Sequence, residues 1–290
     1  MKSWLLYFFA IVIALFSVAF SANYIYADYK IPTLSILEKD KLTEISVEEY
    51  ALRVLLAESQ ACTDMEAKKA LAVSARSAGL YLAVFGQNHK SFDACTKGDC
   101  CILLGSSEAV TQEVLAECKQ AVEETKGMAL FYNGLPAMAL FCLCGGDFSG
   151  NCPQYTYLTA VENKYACEIH TKTQIHPYSA LTPLLLKEID YGTVDENSLL
   201  VYGSDKKCEF GIIAGKKLSA AQIQSALSLN SAQFGLKFTA EGIQSTATGV
   251  GHGYGMSICH GNKMAAEGWS YQRILEHFYP NLVLKNLCYN

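Results

Sequence analysis

The pattern of hydrophobic and polar positions predicts several amphipathic helices, beginning with a pair early in the chain. Ser46-Val47-Glu48-Glu49 has the form of a capping box, and apolar residues follow it at helical spacing, so a helix is expected over residues 47–58. A second capping box, Thr63-Asp64-Met65-Glu66, opens an alanine-rich helix over residues 64–83. Further helices are predicted over residues 107–125, 219–227, 256–267 and 271–277.

Short strands are predicted in the rest of the chain. Asn133-Gly134 separates two apolar runs, 128–132 and 136–142, and this is the strongest short-range hairpin pattern present. Other strands are expected over residues 155–161, 199–201, 209–214 and 234–238, and residues 163–196 show no regular pattern. Helices and strands mix without strict alternation. This indicates an α+β fold, with helices packed on short mixed or antiparallel strands in a single domain.

The apolar run from Trp4 to Phe20 contains no charged residue and predicts a membrane-spanning helix over residues 1–22. As a helix the run is about 25 Å long, close to the ~30 Å hydrocarbon core of a bilayer. A cleaved signal peptide is one alternative, because the small residues Ser17, Ala19 and Ser21 at the end of the run suit a cleavage site, and a buried core helix is another. The membrane helix and the signal peptide both export the rest of the chain to the extracytoplasmic side of the cell membrane, as a tether (23–43), a domain (44–281) and a C-terminal tail (282–290).

The composition excludes two classes of protein. With 51% hydrophobic and 18% charged residues the chain can bury a core and is not disordered. A net charge of −5 with no cluster of lysine and arginine argues against a nucleic-acid partner. Twelve cysteines in an exported chain suggest disulfides, although several stand in apolar runs, which is typical of buried free thiols.

Glu58 follows an apolar turn at the predicted end of the first helix. Dry surroundings and the negative end of the helix dipole both disfavour a charged carboxylate, so its pKa should be raised, as a general acid requires. A solvated glutamate is the alternative. Arg76 stands among small residues on the next helix, where it is expected either to extend to solvent or to face Glu58 and orient it or the substrate.

A cluster of soft ligands occupies the loop after the second helix. His89, Cys95, Cys100 and Cys101 lie within a dozen residues, with Asp99 among them. Imidazole and thiolate groups at such spacing suit a tetrahedral zinc ion. A disulfide from Cys95 to Cys100 or Cys101 is the alternative.

Alternating glycines surround His252 in the run from Gly249 to Gly255. No G-x-G-x-x-G pattern follows a strand here, so no nucleotide cofactor is expected. The glycines would let the backbone approach a ligand closely and direct His252 and Ser257 into a groove. A plain glycine-rich turn with a solvated histidine is the alternative.

Four groups of residues together resemble a known family. They are Val47-Glu48-Glu49-Tyr50 with Leu56-Ala57-Glu58 and Glu66 to Arg76; Phe92 to Cys100; Tyr132-Asn133-Gly134 with Gly145-Gly146 and Tyr157-Leu158; and Gly251 to Ser257 leading into Gly268-Trp269 and His277 to Pro280. In this order, over residues 44–281, they resemble the catalytic domain of the stage II sporulation protein D family, which is related to the amidase enhancer.

The resemblance implies a membrane-tethered lytic transglycosylase that cuts peptidoglycan during engulfment of the forespore. The family's acid aligns with Glu58 and its essential arginine with Arg76. One carboxylate would protonate the glycosidic oxygen and then take the proton of the muramoyl 6-hydroxyl, closing a 1,6-anhydro ring. The resemblance also implies groove residues and a zinc cluster. The groove residues are Tyr157, His252 and Ser257, and the zinc ligands are His89, Cys95, Asp99 and Cys100.

Departures from the family pattern keep a second function open. The family has histidine where Asp99 stands, so Cys101 is a spare zinc ligand. Its polar segment before the glycine pair is Phe141-Cys142-Leu143-Cys144 here, and Thr159 and Ile258 replace a lysine and a glutamine. The alternative is a non-catalytic peptidoglycan-binding module that recruits or enhances a cell-wall amidase. Expected partners are glycan strands, such an amidase and other engulfment membrane proteins.

Overall fold

A computed structural model describes residues 32–86, 89–96, 100–165, 170–194 and 198–287. The predicted membrane helix over residues 1–22 and the first part of the predicted tether lie outside these ranges. In the described ranges, no helix combines the length and the apolar character that crossing a membrane requires.

Helices and small sheets alternate irregularly along the chain, so the α+β class is confirmed. The helices are α1 (Val47–Ala57), α2 (Met65–Phe85), α3 (Gln112–Glu124), α4 (Thr182–Leu185), α5 (Tyr191–Val194), α6 (Ala220–Ala226), α7 (Ile258–Ala266) and α8 (Tyr271–Phe278). The strands are β1 (Thr33–Glu38), β2 (Lys41–Ser46), β3 (Ala94–Cys95), β4 (Met128–Tyr132), β5 (Leu135–Pro136), β6 (Phe141–Cys142), β7 (Phe148–Ser149), β8 (Val161–Glu162), β9 (Thr171–His176), β10 (Leu199–Tyr202), β11 (Cys208–Ile213), β12 (Lys216–Ser219), β13 (Phe234–Thr239), β14 (Gly242–Thr248), β15 (Met256–Ser257) and β16 (Val283–Asn286).

The helical hairpin of α1 and α2 forms the centre of the larger core. Ser46 caps α1 by accepting a hydrogen bond from the Glu49 N–H, as predicted, whereas Asp64 rather than Thr63 caps α2. Small residues along α2 allow close packing, and nearly all of its side chains from Ala67 to Leu82 are buried. Helix α3 begins later than predicted, because a separate single helical turn occupies the stretch after Ser106.

The tether predicted over residues 23–43 is wrong for its second half. Strands β1 and β2 form an antiparallel hairpin, and β1 also pairs in parallel with β3. Leu34 and Ile36 of β1 are fully buried in the larger core, while β2 exposes most of its residues. The domain therefore begins at β1, and the hairpin was difficult to recognise because β2 has almost no buried face.

The Asn133-Gly134 hairpin forms between β4 and β5, with both turn residues at positive φ, as a two-residue loop requires. Its second arm is short, because β6 leaves it to pair with β15. The predicted tail over residues 282–290 is wrong in its first part, since β16 pairs with β4. Helices α7 and α8 pack against α2 and complete the larger core.

A smaller core occupies residues 181–247. Strand β14 lies between β13 and β9, and β11 lies between β10 and β12. The stretch 163–196, predicted to be irregular, contains β9, α4 and α5, and the strand predicted over 155–161 is a series of turns that ends at β8. Buried Gln233 joins the two cores, because its amide donates to the carbonyls of Gly145 and Phe148 and accepts from the Asp147 N–H.

Candidate functional site

Glu58 stands at the point where α1 ends. Its N–H donates to the carbonyl of Val54, and its own carbonyl accepts from the N–H groups of Ala61 and Cys62 at 2.9 and 2.8 Å, which fixes the backbone of the turn. The residue is half-buried, and this burial raises the pKa of its carboxyl. The direction agrees with the expectation from the apolar turn. A carboxyl with a raised pKa stays protonated closer to neutral pH and can act as a general acid.

Arg76 is completely buried in the middle of α2. Its Nε and Nη2 donate to the Glu48 carboxylate at 2.9 and 2.6 Å, and Nη2 also donates to the Val122 carbonyl. Its Nη1 donates to the Met128 carbonyl at 3.0 Å and to the Thr125 hydroxyl at 3.4 Å. A guanidinium has five N–H donors, and these contacts use all of them.

Both expectations for Arg76 are therefore wrong. The side chain does not extend to solvent, and its ion pair is with Glu48 at the start of α1 rather than with Glu58 at its end. The small residues around it are small because a buried guanidinium occupies the space between α1, α3 and β4. In this structure Arg76 holds those elements together and presents no donor to a substrate.

His252 lies in the glycine run, where its Nδ1 accepts a hydrogen bond from the Tyr254 N–H at 3.0 Å and the two rings stack. The residue as a whole is exposed, yet partial burial of its ring lowers the pKa, and the charge of Lys207 lowers it further. A hydrogen bond to the Phe141 backbone opposes this shift. The imidazole is therefore biased toward its neutral form, which can both donate and accept a hydrogen bond.

Ser257 does not face a groove as expected, because it is fully buried. Its hydroxyl accepts from the Gly145 N–H at 3.0 Å and meets Nδ1 of His260 at 2.7 Å. The other ring nitrogen of His260 meets the Tyr165 carbonyl at 2.9 Å. Ser257 therefore supports the loop that contains Gly145 and Gly146. Its hydroxyl is occupied by these contacts and is not available to a sugar.

Tyr157 is half-buried, and its hydroxyl accepts a hydrogen bond from the Met138 N–H at 2.8 Å. Its ring packs against Tyr132 with centroids 4.8 Å apart, and burial raises its pKa to about 12. Asn281 donates to its carbonyl. The hydroxyl is thus engaged by backbone, and the ring that it shares with Tyr132 is the part that a ligand could contact.

Cys142 of β6 lies against the glycine run. It is buried, and burial raises the pKa of its thiol to about 12. The Glu58 carboxylate raises this pKa further, while the Lys207 charge and the Gly253 N–H lower it. A Cβ on Gly251 would stand 3.3 Å from the Cβ of Cys142. The glycine run therefore packs against this thiol, and Glu58 is near enough to influence it electrostatically.

The structure gathers a four-ligand cluster in the loop after α2. Donor atoms of His89, Cys95, Cys100 and Cys101 all lie within 4.8 Å of one another. The sulfurs of Cys95 and Cys100 are 3.3 Å apart, well beyond the ~2.05 Å of a disulfide bond, and His89 Nε2 is 3.3 Å from the Cys101 sulfur. Tetrahedral zinc with ~2.3 Å sulfur bonds needs ligands at about this spacing. These residues fit a zinc ion.

Cys101 takes the fourth position of this cluster, and the predicted ligand Asp99 lies outside the described residues. The prediction of mixed cysteine chemistry is confirmed, because Cys62, Cys118 and Cys142 are buried free thiols while Cys144 is disulfide-bonded.

One functional candidate, Lys207, was missed. It follows Lys206 in a loop, and nothing in the local sequence distinguishes the lysine that is 8% exposed from its exposed neighbour. The partners that bury it are more than forty positions away along the chain.

Comparison with known proteins gives a consistent result. Residues 38–132 match the family model described as SpoIID, stage II sporulation protein. The chain is 27% identical over 251 residues to the stage II sporulation protein D of Bacillus subtilis (strain 168), covering 81% of this chain and 73% of that protein. It is 26% identical over 261 residues to the stage II sporulation protein D of Bacillus amyloliquefaciens, covering 82% and 74%. The family match includes Glu58, Arg76 and the four-ligand cluster.

Proposed function

The chain belongs to the stage II sporulation protein D family, and on that premise we propose that it is a peptidoglycan lytic transglycosylase acting in sporulation. One observation carries the proposal: Glu58, a half-buried glutamate with a raised pKa, ends α1 near the Cys142 thiol that the glycine run contacts. Glycan strands are the proposed substrate, and cleavage during engulfment is the proposed role.

The proposed mechanism uses one carboxyl group twice. Protonated Glu58 gives its proton to the glycosidic oxygen as the bond to the muramoyl C1 breaks and positive charge develops on the sugar ring. The Glu58 carboxylate then takes the proton of the muramoyl 6-hydroxyl, whose oxygen forms the new bond to C1. The product carries a 1,6-anhydro ring, and no water is consumed. The reaction needs no second carboxylate to activate water.

The neighbouring residues would contact or position the sugar and take no part in the proton transfers. The ring nitrogens of His252 are engaged by the Tyr254 N–H and the Phe141 backbone, so this residue would contact a sugar through the face of its neutral ring. The paired rings of Tyr132 and Tyr157 offer an apolar face against which a pyranose can stack. Arg76 acts at a distance by fixing the helical hairpin that carries Glu58.

Zinc is the proposed cofactor of the four-ligand cluster. Four protein ligands close a zinc coordination sphere and leave no open position, which is typical of structural sites. Cys95 belongs to β3, whose partner is β1, so a metal ion here would hold the loop after α2 against the first strand of the domain. The role is to stabilise the fold next to α1.

The decisive experiment compares two glutamates of the same helix. The full chain, its Glu58→Gln variant and its Glu49→Gln variant are incubated with glycan strands stripped of stem peptides. We expect anhydromuramoyl products by mass spectrometry from the wild type and from Glu49→Gln, whose carboxylate is exposed, and none from Glu58→Gln. Equal traces from all three proteins would end the enzymatic interpretation.

A wall-binding module that enhances an N-acetylmuramoyl-L-alanine amidase is the second candidate. It is favoured by the apolar segment before Gly145, where Cys142 is a buried thiol of high pKa that cannot replace a polar contact to a sugar. This function predicts binding to purified sacculi without cleavage, and faster release of stem peptides by an added amidase. Lack of binding to sacculi would exclude it.

Anchoring at the cell membrane is part of the proposal and rests on the apolar run in residues 1–22. The domain would then work between membrane and wall, on the extracytoplasmic side. Protease treatment of intact cells should degrade the domain once the wall is opened, and the mass of the purified mature protein distinguishes an uncleaved anchor from a cleaved signal peptide.

A further inference from the structure

We infer that Lys207 is a positioning residue for the candidate site: its ammonium reaches out of the smaller core and holds the backbone of the glycine run in place beside Cys142 and Glu58. The structural part of this inference stands on contacts alone. Its consequence for glycan binding rests on the proposed function.

The ammonium of Lys207 has a complete set of partners in the glycine run. Its Nζ donates to the carbonyl of His252 at 3.0 Å and to the carbonyl of Gly253 at 2.9 Å. It also lies 3.8 Å from the centroid of the Tyr254 ring, a cation–π contact. An ammonium has three N–H donors, and three successive residues of one loop receive them.

This cation is buried without a direct ion pair. Lys207 is 8% exposed, and among the residues that the structure describes no carboxylate lies within 4.0 Å of its Nζ. Asp205 is nearby. A Cβ placed on Gly150 would stand 2.5 Å from the Asp205 Oδ2 atom and 2.5 Å from the Lys207 Nζ atom. The carboxylate oxygen and the ammonium are therefore within about 5 Å of each other. Burial lowers the pKa of Lys207 to about 8, although Asp205 and the thiols of Cys142 and Cys152 raise it. Backbone carbonyls and an aromatic ring therefore take the place that a carboxylate usually has.

Lys207 also connects a second loop to the glycine run. The Gly253 carbonyl accepts from the Gly150 N–H at 2.7 Å as well as from the lysine. Asp205, two residues before the lysine, accepts from the Asn151 N–H and from the lysine's own N–H. Gly150 has no room for a side chain because the lysine occupies that space. One residue of the smaller core thus joins the loops at 150 and at 253.

The position of the ammonium has an electrostatic consequence at the site. Its charge lowers the pKa of the His252 ring and of the Cys142 thiol. The other groups that act on that thiol are Cys259, the Gly253 N–H and Glu58. Removing the charge of Lys207 should therefore raise the pKa of His252 directly. Loss of a purely structural contact far from the ring would leave that pKa unchanged.

The first test measures that titration by NMR of the histidine side chains in the full chain, with His252 assigned by His252→Gln. In Lys207→Met we expect the pKa of His252 to rise, and in Lys207→Arg, which keeps the charge, to stay near the wild-type value. Lys206→Met is the matched control, because Lys206 is exposed and pairs only loosely with Asp147 at 3.6 Å. An unchanged His252 titration in Lys207→Met would overturn the inference.

A measurement on the wild type covers the case in which Lys207→Met does not fold. The backbone amide signals of Gly150 and Tyr254 should follow a common titration with a midpoint of about 8, because the ammonium that loses its proton there lies against the Tyr254 ring and shares the Gly253 carbonyl with the Gly150 N–H. Signals that stay constant from neutral pH to well above that midpoint would contradict the assignment.

The second test connects the residue to glycan binding in a Glu58→Gln background, which prevents turnover. We expect Lys207→Met to weaken binding of stripped glycan strands about tenfold or more, which corresponds to about 1.4 kcal/mol, and Lys206→Met to change it less than about twofold. Absence of binding by the parent protein would refute the proposed function and leave the histidine result standing. Binding unaffected by Lys207→Met would refute the positioning role alone.

Discussion

Replacing Arg76 by methionine tests whether this arginine supports the fold or the reaction. The substitution removes a guanidinium that is fully buried, and with it the hydrogen bonds that it donates to the Glu48 carboxylate, 14% exposed, and to the Val122 and Met128 carbonyls. Removing one partner of a buried ion pair costs about 3–5 kcal/mol. A domain of this size loses about 2–4 °C in Tm per kcal/mol, so we expect Tm to fall by about 6–20 °C.

The matched control is Arg53→Met on the neighbouring helix. Arg53 also pairs with a glutamate, Glu38 at 2.8 Å, but that carboxylate is 39% exposed. Exposed pairs contribute about 0–1 kcal/mol, so Tm should fall by a few degrees at most. The assay is thermal unfolding followed by circular dichroism at neutral pH, on proteins purified in the same way, together with the glycan product assay at a temperature where every variant is folded.

The two roles of Arg76 give opposite results. If it is a structural residue, Arg76→Met has a lower Tm and keeps the product yield of the folded fraction. A double-mutant cycle with Glu48→Gln should then show a coupling of about 2 kcal/mol or more. An unchanged Tm with complete loss of product would refute the reasoning from burial and return Arg76 to the active site.

Three further predictions follow from the same structure. Metal analysis should find about one zinc ion per chain, and Cys101→Ser should bind it at least about tenfold more weakly, a result that equal affinity would contradict. Glu58→Gln should raise Tm at neutral pH but not in acid. A carboxyl whose pKa is raised in the folded state contributes stability that is fully present below its unfolded pKa and is lost as pH rises through its folded pKa. A constant difference in Tm between wild type and variant from pH 4 to 8 would be inconsistent with burial of the charge. Gly255→Ala should fail to fold stably, since its φ is +67° and a Cβ would stand 1.8 Å from the Leu140 carbonyl, whereas Gly134→Ala, at φ +83° but in open space, should cost only about 1–2 kcal/mol in urea unfolding.

Local rules predicted the elements whose determinants are local. The cap at Ser46 and the Asn133-Gly134 turn are decided within a few residues, and both form as predicted. Strands β1 and β2 pair locally but were missed, because β2 exposes most of its residues and the contact of β1 with β3 comes from residues about sixty positions away. In β14 the buried positions alternate, yet polar Ser245 is among them, which hides the pattern.

The candidate site shows the same division. The end of α1 and its apolar turn identified Glu58 as a residue of raised pKa, since both features are close in sequence. The burial of Arg76 depends on Glu48 and on carbonyls about fifty positions further along the chain, and alanine-rich surroundings suit an exposed arginine equally well. Nothing in the sequence around Lys207 indicates that this lysine is buried. Long-range contacts decide which charged residues are buried, and they are not visible in a single sequence.

The most direct test of the central claim is the fate of water in the reaction. Digestion of stripped glycan strands by the full chain in heavy-oxygen water distinguishes the two ways of breaking the glycosidic bond. A lytic transglycosylase gives anhydromuramoyl ends that contain no heavy oxygen, and we expect these ends to form in a reaction that depends on Glu58 and not on Glu49. Reducing muramic acid ends that carry heavy oxygen would show a hydrolase and contradict the account.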